Sequence, residues 1–115
     1  FGAATSNDYR VTFFYAHPTL KAQVSVNHAV EQQVLTKFPG VVSKAEINSL
    51  ENLRGIPNSL NSDLHLSQIR LEWNRFYKPF VASGTQPTKA QLLQKATEID
   101  AKLGSQFNPP VGGGR

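Results

Sequence analysis

The sequence predicts a single, mostly helical α+β domain built around one small two-stranded element. At 115 residues the chain can form one hydrophobic core and little more. Residues 23–27 alternate apolar and polar side chains as a half-buried strand does, and residues 53–56 can form a second short strand. We therefore expect one domain over residues 1–110, a strand–loop–strand–helix core at 23–78, and a disordered, glycine-rich tail at 111–115.

Local signals predict the shorter helices. Asn7 or Asp8 can cap a helix that ends before Pro18, because proline disfavours helical backbone at the residue before it. Apolar residues recur on one face of residues 29–38, which predicts a second helix. A capping box at 43–46 then opens a third, short helix.

The longest helix should be capped by Ser62 or Asp63 and end near Lys78, before Pro79. Its apolar residues recur at intervals of three and four, as in a helix that packs on a core. They are Leu66, Ile69, Trp73, Phe76, Tyr77 and Phe80.

The C-terminal part of the domain should form one more helix and an extended strap. Residues 88–91 form a second capping box, and Gly104 is a suitable residue just past the end of the helix that follows. Phe107 begins a Pro-containing strap and is expected to pack back on the domain.

Composition limits the classes of function. A net charge of +4 and a pI near 9.6 favour a polyanionic partner without proving one, since the basic residues are spread along the chain. The chain has no cysteine, which excludes disulfides and Cys-rich zinc sites. No apolar run approaches the ~20 residues of a membrane span, so no membrane partner is expected. The start on Phe1 suggests a piece of a longer polypeptide.

Three polar residues have the chemistry of a catalytic metal site. His28 follows the first strand, Asn52 lies in the loop before the second, and His65 lies in the first turn of the longest helix. A divalent metal can hold a scissile phosphate and stabilise the leaving oxygen, while a separate neutral imidazole takes a proton from water. Spacing alone leaves open that both histidines are ordinary packed or exposed residues. His17 is interpreted as a plain helix-terminal residue.

The chain resembles the HNH, or ββα-metal, endonuclease superfamily. It is most similar to the variants found as C-terminal toxin domains of bacterial polymorphic toxins, such as Rhs and contact-dependent inhibition proteins. The resemblance covers roughly residues 23–110, and Leu-x-x-Ile-Arg and Trp-Asn-x-Phe-Tyr are its more distinctive parts. The matching stretches are Asn27-His28-Ala29-Val30-Glu31-Gln32-Gln33-Val34-Leu35, Ser49-Leu50-Glu51-Asn52-Leu53-Arg54-Gly55-Ile56-Pro57, Leu64-His65-Leu66-Ser67-Gln68-Ile69-Arg70, Trp73-Asn74-Arg75-Phe76-Tyr77 and Phe107-Asn108-Pro109-Pro110.

The resemblance implies a role for each polar residue. His28 would be the general base that activates water, and His65 would bind one divalent metal, which can be Mg, Mn, Ni or Zn. Asn52 would order the loop or touch the metal. Arg54 and Arg70 would contact phosphate, because a guanidinium offers a bidentate fork, although solvated surface charge explains both equally well.

Asn27 departs from the family pattern. The residue before the base is usually a metal-binding His or Asp, and Asn is a weaker, neutral oxygen ligand. Asn27 can be a natural ligand of this branch, an inactivating replacement, or a sign that no metal binds. We favour the second explanation, because His-to-Asn is close in shape.

The resemblance therefore implies a metal-dependent endonuclease toxin domain that acts on nucleic acid, with DNA favoured over RNA. Such a domain would be delivered into a target bacterial cell, act in its cytoplasm and be neutralised by a cognate immunity protein. An RNase toxin is one alternative, with the same chemistry on another substrate. A non-catalytic helical module that binds nucleic acid or protein is the other. Convergence of the His28 and His65 imidazoles on one point beside Asn52 would favour the nuclease.

Overall fold

The computed structural model describes residue 2 and residues 8–60 and 64–111, and residues 64–66 are described by their backbone alone. Helix α1 spans Tyr9–Ala16, α2 spans Val34–Lys37 and α3 spans Lys44–Ile47. Strands β1, Val24–His28, and β2, Leu53–Pro57, form an antiparallel pair. A π-helical segment, Leu64–Ile69, runs into α4, Arg70–Ser83, and α5 spans Lys89–Leu103. The predicted α+β class is confirmed.

The helix starts that are set by local capping lie where the sequence predicts them. The Asp8 carboxylate accepts hydrogen bonds from the backbone N–H groups of Arg10 and Val11 at the start of α1. Ser43 and Thr88 each form a reciprocal capping box, at α3 and α5. Each box satisfies N–H groups that the first helical turn leaves without an intrahelical partner. The predicted caps Ser62 and Asp63 lie outside the described residues.

The predicted helix at 29–38 is wrong in its first half, since only Val34–Lys37 is α-helical. The backbone groups that would open this helix are used elsewhere. The Ala29 N–H donates to the Asn52 carbonyl, and both backbone polar groups of Val30 bond the Asn52 side chain. The Val30 carbonyl, which would accept from the Val34 N–H in an α-helix, is thus bonded to a distant residue, and the Val34 N–H donates to the Glu31 carbonyl instead.

The longest helix continues through Pro79 instead of ending at Lys78. Proline removes one backbone donor and costs helix stability, but the half-buried Phe80 packs against the main core and favours one more turn. The helix ends at Gly84, which has a φ of 68° in the left-handed region that glycine adopts readily.

Gly104 follows α5 as predicted, yet it does not adopt the left-handed conformation of a C′ glycine, since its φ is −62°. The chain continues as a 3₁₀ turn over Gly104–Gln106. A Cβ at Gly104 would overlap the Val111 carbonyl, and the Val111 N–H donates to the Gly104 carbonyl at 3.0 Å. Val111 is therefore held against the domain, and the rest of the predicted tail, residues 112–115, lies outside the described residues.

The two strands lie between two groups of packed residues. On one face, Val24 and Leu53 pack with Phe13 of α1. On the other face, Ile56 joins the main core, which includes Ile69 and Trp73 from the longest helix. Strand, loop, strand and helix therefore follow one another over the core region, as the sequence predicts, and the longest helix shares the main core with Ile56 of β2.

The C-terminal strap covers the outer edge of β2. The Asn108 N–H donates to the Gly55 carbonyl at 2.8 Å, and a Cβ at Gly55 would overlap the Asn108 carbonyl. Phe107 is buried, as predicted. This close approach explains why a glycine stands in the middle of a strand. Within the described residues, no helix combines the length and apolar character needed to cross a bilayer.

Candidate functional site

Every buried polar side chain among the described residues lies in one place, where β1 ends and β2 begins. We call this group the polar cluster: Asn27, His28, Asn48, Ser49 and Asn52. The first two come from the end of β1, and the others from the connection between α3 and β2. Because burying a polar group is costly unless it is hydrogen-bonded, such a concentration indicates a specific structural or functional demand.

Asn52 fixes the loop that follows β1. Its Oδ1 accepts from the Val30 N–H at 2.8 Å, and its Nδ2 donates to the carbonyls of Val30 at 3.0 Å and Ile47 at 2.8 Å. The Asn52 side chain is buried, and both polar atoms are engaged with the backbone. Of the two roles implied for this residue, the geometry favours ordering the loop over touching a metal.

His28 is held by a side chain that the sequence analysis did not single out. Its Nε2 lies 2.9 Å from the Asn48 Oδ1, and its ring packs edge-on against Tyr9, with 4.4 Å between the ring centroids. A carbonyl oxygen only accepts, so Nε2 carries the proton and a neutral imidazole has its lone pair on Nδ1. A fixed tautomer is what a general base requires. The residue is 5 % exposed.

Asn27 and His28 project from opposite faces of β1, because successive side chains of a strand alternate. His28 contacts Tyr9 on the α1 side. Asn27 pairs with Arg54, and Ser25 pairs with Ile56, so these four side chains share the face that holds the main core. Asn27 therefore lies on the sheet face from which Ile56 joins the main core.

The backbone of His65 lies in the first turn of the π-helical segment, which leads into α4. Its side chain lies outside the described residues, so convergence of its imidazole with that of His28 stays a prediction. Single π-helical turns are rare and often accompany functional sites. The segment ends at Ile69, which is buried in the same core as Ile56 on the Asn27 face of the sheet.

The two arginines proposed for phosphate contact, Arg54 and Arg70, differ in their ion pairs and in their exposure. Arg54 forms a bidentate ion pair with Asp100 of α5, at 3.2 and 2.9 Å, and its Nη1 donates to the Glu51 and Leu53 carbonyls. These contacts indicate a structural role that ties β2 to α5. Arg70 is exposed at the start of α4, with its guanidinium paired to no carboxylate in the described part of the chain.

Two members of the polar cluster were missed from the sequence. Asn48 follows α3 and holds His28, while Ser49 donates to the Glu46 carbonyl at 2.7 Å and accepts from the Gly2 N–H at 3.2 Å. The available signal was an Asn-Ser pair placed directly after the apolar Ile47 and three residues before Asn52. Read alone, that pair predicts only a turn.

The described residues do not assemble a metal site by themselves. No group of three or more His, Cys, Asp or Glu side chains converges within the described ranges. Asn27 offers a neutral amide, and the Asn52 amide is engaged with the backbone. Neutral amide oxygens bind a hard cation only weakly. A strong metal site therefore also needs a ligand such as the imidazole predicted at position 65.

Comparison of the chain with known protein families, with curated proteins and with solved structures found no match.

Proposed function

We propose that this chain is a metal-dependent endonuclease domain that hydrolyses DNA, with His28 as the general base. The observation that carries the proposal is the setting of His28. It ends a strand, its tautomer is fixed by Asn48, and it stands next to a loop that Asn52 fixes in place. The strand–loop–strand–helix order and the basic net charge of +4 support the same proposal.

In this proposal the position of each residue determines its role. His28 takes a proton from a water molecule, while its ring stays held by the Asn48 amide. Asn52 keeps the loop after β1 from moving away from β2, which keeps His28 in one orientation. Arg70, exposed at the start of α4, binds a phosphate oxygen.

A single divalent ion, when bound between Asn27 and His65, would stabilise the negative charge that develops on the leaving oxygen. Asn27 supports this part of the proposal by its position, since it is 7 % exposed and lies on the sheet face whose Ile56 shares the main core with the longest helix. Its neutral amide is a weak ligand, so we propose that this chain has lower metal affinity than a variant with His at that position.

The biological setting of the proposal comes from the resemblance to polymorphic toxin domains. The domain would be delivered into a bacterial cell, cut DNA in the cytoplasm and be neutralised by a cognate immunity protein. An RNase toxin would use the same residues on a different substrate. Substituting structured RNA for plasmid DNA in the cleavage assay separates the two.

Asn27→His should increase nicking of supercoiled plasmid at limiting Mg²⁺, Mn²⁺, Ni²⁺ or Zn²⁺. The imidazole replaces a weak amide ligand, and groups that merely support metal ligands already change affinity by about 10- to 100-fold. We therefore expect half-maximal nicking at a metal concentration at least about tenfold lower than for the unmodified chain.

The matched control is Gln94→His, which places the same imidazole on an exposed turn of α5, outside the proposed site. This variant should nick like the unmodified chain. If neither the unmodified chain nor Asn27→His cuts DNA with any of the four metals, and circular dichroism shows both folded, the endonuclease proposal is wrong.

One observation favours the non-catalytic alternative. His28 is 5 % exposed, and the buried amides of Asn48 and Asn52 are hydrogen-bonded within the domain, as in a purely structural polar cluster. In that case the domain would bind nucleic acid or a protein without cutting it. Binding of DNA by a folded chain that cleaves neither DNA nor RNA would establish this alternative.

A further inference from the structure

Two groups of cations on the described domain differ in whether acidic side chains neutralise them. Those around α5 are neutralised by acidic side chains, in the pairs Arg54–Asp100, Lys89–Glu46, Lys95–Glu72 and Lys102–Glu72. Hydrogen bonds from Lys95 hold the pKa of Glu72 below its ordinary value, and hydrogen bonding to Lys89 does the same for the pKa of Glu46. These acids therefore stay ionised, and this side of the domain carries little net charge.

The opposite flank of α4 is different. Arg70, Asn74 and Lys78 are exposed at intervals of four residues, which puts them in one row along the helix. Lys37 of α2 lies beside the row, with its ammonium 5.6 Å from the centre of the Tyr77 ring. We call these four residues the cationic stripe. None of its three cations forms an ion pair with a described residue.

A shallow cavity of about 370 Å³ lies along the stripe. It is lined by Lys37, Asn74, Tyr77, Lys78, Val81 and Ala82. The Tyr77 hydroxyl donates to the Glu31 carboxylate at 2.8 Å, and burial raises the pKa of Tyr77 above its usual range, so this hydroxyl stays protonated. Among the described residues, Glu31 is an acid next to Tyr77, and one carboxylate against the three cations of the stripe leaves an excess of positive charge.

We infer that the cationic stripe binds the sugar–phosphate backbone of duplex DNA, and the choice of DNA rests on the proposed function. Arg70 and Lys78 are eight residues apart, which is ~12 Å along a helix, and one DNA strand carries three to four phosphates over that length of duplex axis, at about 3.4 Å each. The Asn74 amide lies between them and can donate to a phosphate or sugar oxygen. Since the stripe begins one turn beyond His65, it leads bound DNA away from the polar cluster along α4.

The aromatic residues of α4 argue for a duplex over a single strand. Binding of single strands uses exposed rings on which bases stack. Trp73 and Tyr77 are buried and Phe76 and Phe80 are half-buried, so the groups that line the described cavity and reach solvent are cations, an amide and the aliphatic side chains of Val81 and Ala82. Such a surface fits a backbone and offers no platform for bases.

The test is the affinity of a fluorescein-labelled duplex of random sequence, measured by anisotropy in EDTA so that cleavage plays no part. Arg70→Gln/Lys78→Gln should weaken binding at least about tenfold at low salt and reduce the slope of log affinity against log salt by about two, since each lost phosphate contact removes about 0.9 from that slope. Lys37→Gln alone should reduce the slope by about one.

The matched control is Arg75→Gln/Lys44→Gln, which also removes one arginine and one lysine, both exposed and outside the stripe. It should change the affinity by no more than about twofold, because screened charges farther from the bound backbone contribute little. Equal weakening by the two double variants would overturn the inference and leave only a net-charge effect. Tighter binding of a single strand than of the duplex would overturn the choice of ligand.

The binding experiment tests the cationic stripe independently of the proposed nuclease activity. His28→Ala should bind the duplex as the unmodified chain does, because His28 is buried in the polar cluster and contributes no charge to the stripe. Stripe-dependent binding without cleavage by any variant would retain the stripe and reject the nuclease. Cleavage that is unaffected in Arg70→Gln/Lys78→Gln would retain the nuclease and reject the stripe.

Discussion

Replacing His28 by alanine should reduce plasmid nicking by at least about 100-fold, because general base catalysis by a positioned side chain contributes about 10²–10⁴-fold to rate. The substitution removes the imidazole and leaves the Asn48 amide without its partner. The measurement is the initial nicking rate at saturating metal, in the unmodified chain or in Asn27→His, whichever is the more active. His28→Gln keeps a polar side chain at this position and should be equally inactive.

The third histidine supplies the control. His17 follows α1 and packs against Phe13, with 4.9 Å between ring centroids, so His17→Ala removes an imidazole of the same domain outside the polar cluster. The His17→Ala variant should nick plasmid at the same rate as the chain into which the substitution is introduced. Thermal melting shows whether each variant is folded at the assay temperature. Nicking by a folded His28→Ala variant at the parental rate would contradict the assignment of His28 as the base.

Replacing Asn52 by alanine should lower the free energy of unfolding by about 3–5 kcal/mol, which is exceptional for one substitution. The side chain makes three hydrogen bonds to buried backbone groups of Val30 and Ile47. A buried polar group left without its partner costs about 1–3 kcal/mol, and three are left at once. Urea denaturation monitored by Trp73 fluorescence measures the change.

Asn58→Ala is the matched control for this prediction. Asn58 also joins distant parts of the chain, through hydrogen bonds with Ala22 and Ser25 at 3.0 Å, but its side chain is exposed. Water replaces these bonds, so we expect a loss of about 1 kcal/mol or less. Similar losses in the two variants would contradict the loop-ordering role. A stable Asn52→Ala domain that has lost only metal affinity would assign Asn52 to the metal.

The parts of the fold that follow from neighbouring residues could be predicted from the sequence. Asp8, Ser43 and Thr88 cap helices through bonds to residues two or three positions away, so their motifs are sufficient evidence. The helix predicted from residue 29 was wrong because the partner of its first turn, Asn52, is distant in the chain. The apolar pattern of residues 29–38 contains no sign of this distant hydrogen-bonding partner.

In the candidate site, too, individual residues could be predicted from the sequence but contacts between distant residues could not. His28 and Asn52 could be singled out because polar residues at the end of a strand and in a loop are visible in the sequence. Asn48 could not be linked to His28, since the two meet only when α3 packs beside β1. Arg54 was predicted to contact phosphate because its ion pair with Asp100 cannot be read from the sequence. Asp100 lies 46 residues later, on α5. The phosphate contact of Arg70 stays a prediction, and Arg70 is exposed on the face of α4 that carries the stripe.

The most direct test of the central claim is to titrate the folded chain with a small amount of Mn²⁺ and record the imidazole signals of its three histidines by NMR, assigned with single His→Ala variants. A paramagnetic ion broadens the signals of nearby nuclei only. We expect the signals of His28 and His65 to broaden together, at Mn²⁺ concentrations that leave the His17 signal sharp. Broadening of His65 without His28, or equal broadening of all three, would show that His28 does not lie beside the metal that His65 binds, and the endonuclease proposal would then be wrong.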